Sequence, residues 1–119
     1  MKQVGTLLLI ASMMIACSST KNNPFFSEYG TPYDIPPFEQ IKTSHYLPAF
    51  NEGIKQHNQE IEAIANNTEA PTFANTIEAM DKAGNLLRKV SLVFFTLTEN
   101  ETNEAMNQIA EEISPVLSE

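Results

Sequence analysis

One periodic stretch, Pro71 to Leu97, constrains this chain more than any other. Phe73, Ile77, Met80, Leu87, Val90, Phe94 and Leu97 recur at spacings of three and four, with one longer gap that holds Ala83 and Gly84. This is the period of an amphipathic helix with one buried face, so the pattern predicts a single core helix across the stretch. Asn75 is placed to cap its start, with Glu78 three residues on as the reciprocal partner. Pro71 disfavours a helical Ala70, which keeps any earlier helix from running through. Gly84 costs about 1 kcal/mol against alanine inside a helix. Two readings of it stand side by side: a close helix contact and a plain surface glycine.

A second stripe precedes the first. Within Ile41 to Asn66, the residues Leu47, Phe50, Ile54, His57, Ile61 and Ile64 alternate at three and four, the seam of two packed helices. Thr43 or Ser44 can cap its start, and Pro48 falls within or just past the first turn. Gly53 in mid-helix suggests a close neighbour. Matched stripes predict an antiparallel pair joined by the loop from Asn66 to Thr72. After a polar break at Thr98 to Asn103, a third helix carries Met106, Ile109, Ile113 and Val116 or Leu117 on one face, with Pro115 expected to kink it. No glycine or other C-cap precedes Glu119, so the third stripe reads as an element cut short.

Upstream of the helices, Pro24 to Phe38 packs four prolines and five aromatic rings into fifteen residues. The prolines forbid a continuous helix. The rings argue for an extended strip laid on the helical body, with a short edge strand around Tyr33 to Ile35. A proline-rich ligand for another protein is the alternative. The fold class is therefore all-α, with residues 24–119 forming a helical region preceded by this extended segment.

The first residues belong to targeting rather than to the fold. Lys2 is followed by an apolar run from Val4 to Ile15, shorter than the roughly 20 residues needed to span a bilayer. The run closes on Met14-Ile15-Ala16-Cys17, which resembles a bacterial lipobox. That resemblance implies a signal peptide over residues 1–16, cleavage between Ala16 and Cys17, and lipidation of Cys17. Residues 17–23 then form a flexible tether. An ordinary secretory signal is the other reading. The expected address is the cell envelope, as a membrane-anchored lipoprotein facing the periplasm. Cys17 is the sole cysteine, so no disulfide can form within the chain.

Composition excludes one partner class. Lys plus Arg is 7 and Asp plus Glu is 15, a formal net charge of −8, so the basic stripe that nucleic acid requires is missing. Catalytic chemistry is not legible either. His45 and His57 are the two histidines. His57 and Glu60 lie one turn apart, but no third ligand accompanies them and there is no His-Glu-x-x-His. Glu60/Glu62 and Glu111/Glu112 point apart on a helix and form no acid–base pair. The chain is expected to carry no catalytic and no metal-binding residue of its own, and to be a monomer.

Further residues carry a family resemblance. They are Asn23-Pro24-Phe25-Phe26, Pro36-Pro37-Phe38, Ile41, His45-Tyr46-x-Pro48-Ala49-Phe50-x-Glu52-Gly53, and Pro71-Thr72-Phe73-x-Asn75-Thr76-Ile77 with Gly84. In order and spacing they resemble the N-terminal region of the thimet oligopeptidase family of zinc metallopeptidases, closest to its bacterial peptidyl-dipeptidase (dipeptidyl carboxypeptidase) branch. The resemblance implies a large all-helical enzyme that admits short peptides and removes dipeptides from their C-termini. It also implies that zinc sits far toward the C-terminus, so that none is bound by this stretch. A stand-alone helical lipoprotein with a binding or scaffold role is the competing expectation.

Overall fold

The computed structural model describes residues 22–100 and 103–118. All regular structure among them is helical. Two 3₁₀ turns, Pro24–Phe26 and Pro32–Asp34, precede helix α1, Thr43–Ala65. A π-helical turn, Phe73–Glu78, then runs into the short α2, Ala79–Lys82. Helices α3, Asn85–Asn100, and α4, Glu104–Leu117, complete the chain. No described helix is long and apolar enough to cross a membrane.

The core sits where the first half of α1 meets α3. Ala49, Phe50, Val90 and Phe94 are fully buried, joined by Tyr46, Val93, Met106, Ile113 and Phe25. Contacts pair rising numbers in α1 with falling numbers in α3. Tyr46 and Phe50 meet Phe94, Gly53 meets Leu87, and His57 meets Gly84. The two helices are therefore antiparallel, as the matched stripes predict. A Cβ on Gly53 would lie 3.0 Å from the backbone N and Cα of Leu87, so the helices touch there backbone to backbone. The Phe94 ring stands edge-on to Tyr46 and Phe50 at 5.0 and 5.3 Å between centroids. Such pairs add about 0.5–1.5 kcal/mol beyond area burial. Pro48 lies inside α1 and Pro115 inside α4.

The strip is laid on this pair. Phe25 is buried, with its ring 5.5 Å from that of Tyr46. Asn23, assigned by its sequence to the tether, is built into the fold. It is 4% exposed, its Oδ1 accepts from the Phe25 N–H at 3.1 Å, and its Nδ2 donates to the His45 carbonyl at 2.8 Å. No strand forms at Tyr33 to Ile35. The chain turns instead, with Tyr33 and Asp34 both left-handed at φ 58° and 54°, and Thr31 Oγ1 donates to the Ile35 carbonyl. An edge strand needs extended backbone beside an open sheet edge, and none of the described residues offers one.

The predicted helix from Pro71 to Leu97 is two pieces. Ala83 is extended (ψ 144°) and Gly84 left-handed (φ 75°), which ends α2 and starts α3 in a new direction. Only glycine takes that φ without strain. The upstream cap also differs. Thr72 is the N-cap, Asn75 its partner: the Asn75 N–H donates to Thr72 Oγ1 at 3.1 Å, and the Thr72 N–H to Asn75 Oδ1 at 2.7 Å. Glu78 takes no part and pairs with Lys82 instead. Phe73, Ile77 and Met80, predicted to face the core, are 74%, 54% and 54% exposed. At α1 the N-cap is Lys42 rather than Thr43 or Ser44, because the His45 ring already accepts the Lys42 N–H at 3.1 Å. The polar residues from Thr98 do not end α3, which continues to Asn100. Thr98 and Asn100 side chains donate back to the Phe94 and Thr96 carbonyls. Asn103 does cap α4, accepting from the Met106 N–H at 3.0 Å.

Candidate functional site

An open groove of about 850 Å³ lies between the aromatic strip and the exposed flanks of α1 and α3. Phe25, Phe26, Asp34, Lys55, Gln56 and Lys89 are among its lining residues, which include no histidine and no cysteine. Its two lysines and Glu52 are already engaged. Lys89 Nζ donates to the Ser27 carbonyl at 2.6 Å and the Phe25 carbonyl at 3.4 Å, and lies 3.8 Å from the centre of the Tyr29 ring. Burial lowers the Lys89 pKa, against Asp34 and Glu28, which favour the charged amine. The same burial, with Asp34 and Tyr46 nearby, pushes the Tyr29 phenol up to about 12. Glu52 accepts from Gln56 at 2.9 Å and sits 3.6 Å from Lys55. The Gln56 hydrogen bond, then Lys55, pulls its pKa down. Lys89 thus acts as a pin between α3 and the strip. No sequence signal could have found it, since its acceptors are backbone carbonyls more than sixty residues away.

The histidines do not converge on this groove. His45 and His57 are twelve residues apart on one helix, about 18 Å along its axis. His45 closes the start of α1, its Nδ1 accepting the Lys42 N–H. Burial first, and the Lys42 charge second, lower its pKa below the ordinary 6.5, which suits a ring nitrogen that must stay unprotonated to accept. His57 packs under Gly84, where a Cβ would lie 2.7 Å from His57 Nδ1. That nitrogen is buried and has no hydrogen-bond partner among the described residues. Glu60 turns away from any shared ligand and accepts the Gly84 N–H at 2.7 Å through Oε2. The one-turn His57–Glu60 spacing serves the α2–α3 joint. Glu62, Glu111 and Glu112 are exposed.

Among the described residues no group of three or more His, Cys, Asp or Glu side chains could hold a metal ion. Among the described residues the donors do not fit a zinc site: two histidines twelve residues apart on one helix, one of them under a glycine. Ala16 and Cys17, the proposed cleavage and lipidation residues, lie outside the described residues.

Comparison with known proteins supplies what the geometry alone does not. The chain is 44% identical over 100 residues, 84% of its length, to a dipeptidyl carboxypeptidase of Escherichia coli. It is 43% identical over 96 residues, 81% of its length, to a dipeptidyl carboxypeptidase of Salmonella typhimurium. These matches support a peptidase relationship at family level. The chain spans 15% and 14% of the length of these two relatives. No protein-family model matches it.

Proposed function

We propose that these residues are the N-terminal portion of a zinc-dependent dipeptidyl carboxypeptidase of the thimet oligopeptidase family. In this reading the enzyme removes dipeptides from the C-termini of short peptides and is held at the cell envelope, facing the periplasm, by a lipid on Cys17. The observation that carries it is the 44% identity across 84% of the chain to a relative bearing that activity in its name. The arrangement of the described residues is compatible with the division of labour. A hydrolytic metal site needs three protein ligands, an open position and a base. The described residues bring no such set together, so the reading assigns zinc and its chemistry to sequence outside them. Their own contribution is architectural: a packed helical pair, an aromatic strip clamped to it, and an open groove between the two.

The decisive experiment is made on the product of the native gene. Its mass and the reading frame after Glu119 are determined, and the purified product is assayed on a short amino-blocked peptide with and without a chelator. Release of C-terminal dipeptides, abolished by the chelator, is the expected result. The 119-residue chain alone is expected to release none, and zinc-dependent cleavage by it would overturn the reading. A native product that ends at Glu119 and stays on membranes would mark a stand-alone helical lipoprotein instead. The anchor is tested separately. Cys17→Ser is expected to release the product from membranes, and unchanged membrane association would remove that part of the proposal.

A further inference from the structure

The segment from Phe73 to Lys82 is amphipathic in the wrong direction for a free-standing surface. Its half-buried positions are Asn75, Thr76 and Ala79, which are small or polar. Its large apolar side chains, Phe73, Ile77 and Met80, sit at spacings of four and three and are 74%, 54% and 54% exposed. The segment is nonetheless firmly set. Thr72 and Asn75 cap it reciprocally, Asn75 Nδ2 holds the Ala70 carbonyl at 2.9 Å, and Glu60 fastens Gly84 at its far end. A rigid segment that keeps its large apolar residues outward is presenting them.

We infer that the Phe73–Ile77–Met80 row is an intramolecular docking strip, covered by sequence of the same polypeptide beyond residue 119. The covering surface would be apolar at its centre and carry Lys or Arg at its rim. The inference rests on the reading of this chain as part of a longer peptidase. Size argues for an occupant within the same chain. Three such side chains bury on the order of 400 Å², whereas a stable interface between separate molecules takes about 1,200–2,000 Å² in total. A covalently connected surface needs far less, because tethering holds it at an effective concentration that reaches the millimolar range. Length agrees, since the relatives at 43–44% identity have 85% or more of their sequence outside the matched share. Charge disfavours a second copy. Glu69 and Asp81 flank the row, and Lys82 is taken up by Glu78 at 2.5 Å, so the rim is acidic on a chain of net charge −8. Two copies would oppose like charges around a small apolar centre.

The test uses the native gene product. A photo-crosslinking benzoylphenylalanine replaces Phe73, with the same residue at the exposed, polar Glu62 as control. Crosslinks from position 73, and none from position 62, to residues beyond 119 of the same polypeptide are expected. In the unmodified product, Met80 is expected to oxidise in peroxide as slowly as the core residue Met106, which is 4% exposed. Crosslinks to a second copy or to another protein, or no crosslink with Met80 oxidising fast, would overturn the inference. If the native product proves to continue past Glu119 and to release dipeptides while Met80 remains open, the docking strip fails and the peptidase reading stands. If the product ends at Glu119, both fall.

Discussion

Val90, Phe94 and Leu97 belong to the same periodic pattern as Phe73, Ile77 and Met80, yet the two halves of that pattern have opposite fates. Val90 and Phe94 are fully buried between α1 and the aromatic strip, with Leu97 packed alongside. Phe73, Ile77 and Met80 face outward. What separates them is the joint at Ala83 and Gly84. At Gly84 the backbone takes φ 75°, and the phase of the helix is lost. Periodicity reports which residues share a face. It carries no information on which way that face points once the axis is broken. The difference also separates two kinds of glycine. Gly53 allows two helices to approach at their backbones, whereas Gly84 sets a backbone angle that other residues reach only with strain.

The comparison can be broken most directly by truncating one ring from each half. Phe50→Ala, which removes the partner of Phe94, is expected to destabilise the chain by about 3–5 kcal/mol. Phe73→Ala is expected to stay within about 0.5 kcal/mol, as exposed positions do. Urea unfolding of the 119-residue chain measures both. Equal costs would mean that the outward row is packed in solution and the contrast is not real.

The joint comes next in size. Gly84→Ala must place a side chain at φ 75°, which costs about 1–2 kcal/mol in backbone strain alone, and must also displace His57, 2.7 Å from the new Cβ. His57→Ala removes the steric part. The double substitution is therefore expected to cost less than the sum of the two singles. Additive costs would show that the ring does not set the geometry of the joint.

A smaller effect sharpens the role of the strip. Asn23→Ala gives up the hydrogen bonds to the Phe25 N–H and the His45 carbonyl and is expected to cost about 0.5–2 kcal/mol. Faster amide exchange at Phe25, with exchange across Phe73–Lys82 unchanged, would place the loss in the packed half. Loss of protection in both halves would show that they unfold together.

The smallest expected effect is on pH. The His45 pKa is lowered in the fold, so the unfolded chain binds the proton more readily. Its contribution to stability is present above the ordinary value of 6.5 and is lost as pH falls from there through the lower folded value. His45→Asn is expected to flatten the stability profile in that window alone. A profile unchanged by the substitution would mean that His45 does not differ between folded and unfolded states.

Much of the fold was legible in the residues. The stripes of Phe50 and Phe94 identified the core pair and its antiparallel sense, because burial in water selects large apolar residues at helical spacing and both helices carry them in register. The rings of the 24–38 strip announced packing on a larger body, which holds for Phe25 and in part for Tyr29, whereas Phe26, Phe38 and Tyr33 are exposed. The likeness to a peptidyl-dipeptidase was written in residues such as Pro48, Gly53 and Pro71, and the comparisons support it at the coarser level of a peptidase relationship.

Tertiary structure alone decided the rest. Whether Gly84 was a contact or a surface glycine depended on what stood beside it, and that turned out to be His57 and Glu60, more than twenty residues away. Lys89 became the pin of the strip because folding brought two backbone carbonyls to its amine, and carbonyls leave no mark in a sequence. Thr72 took the cap from Asn75 because a reciprocal pair satisfies two backbone N–H groups with neighbouring side chains, while Glu78 found Lys82. Short-range pattern shows which residues share a face within an unbroken helix. The direction in which each face points is settled only where distant parts of the chain compete for the same contact.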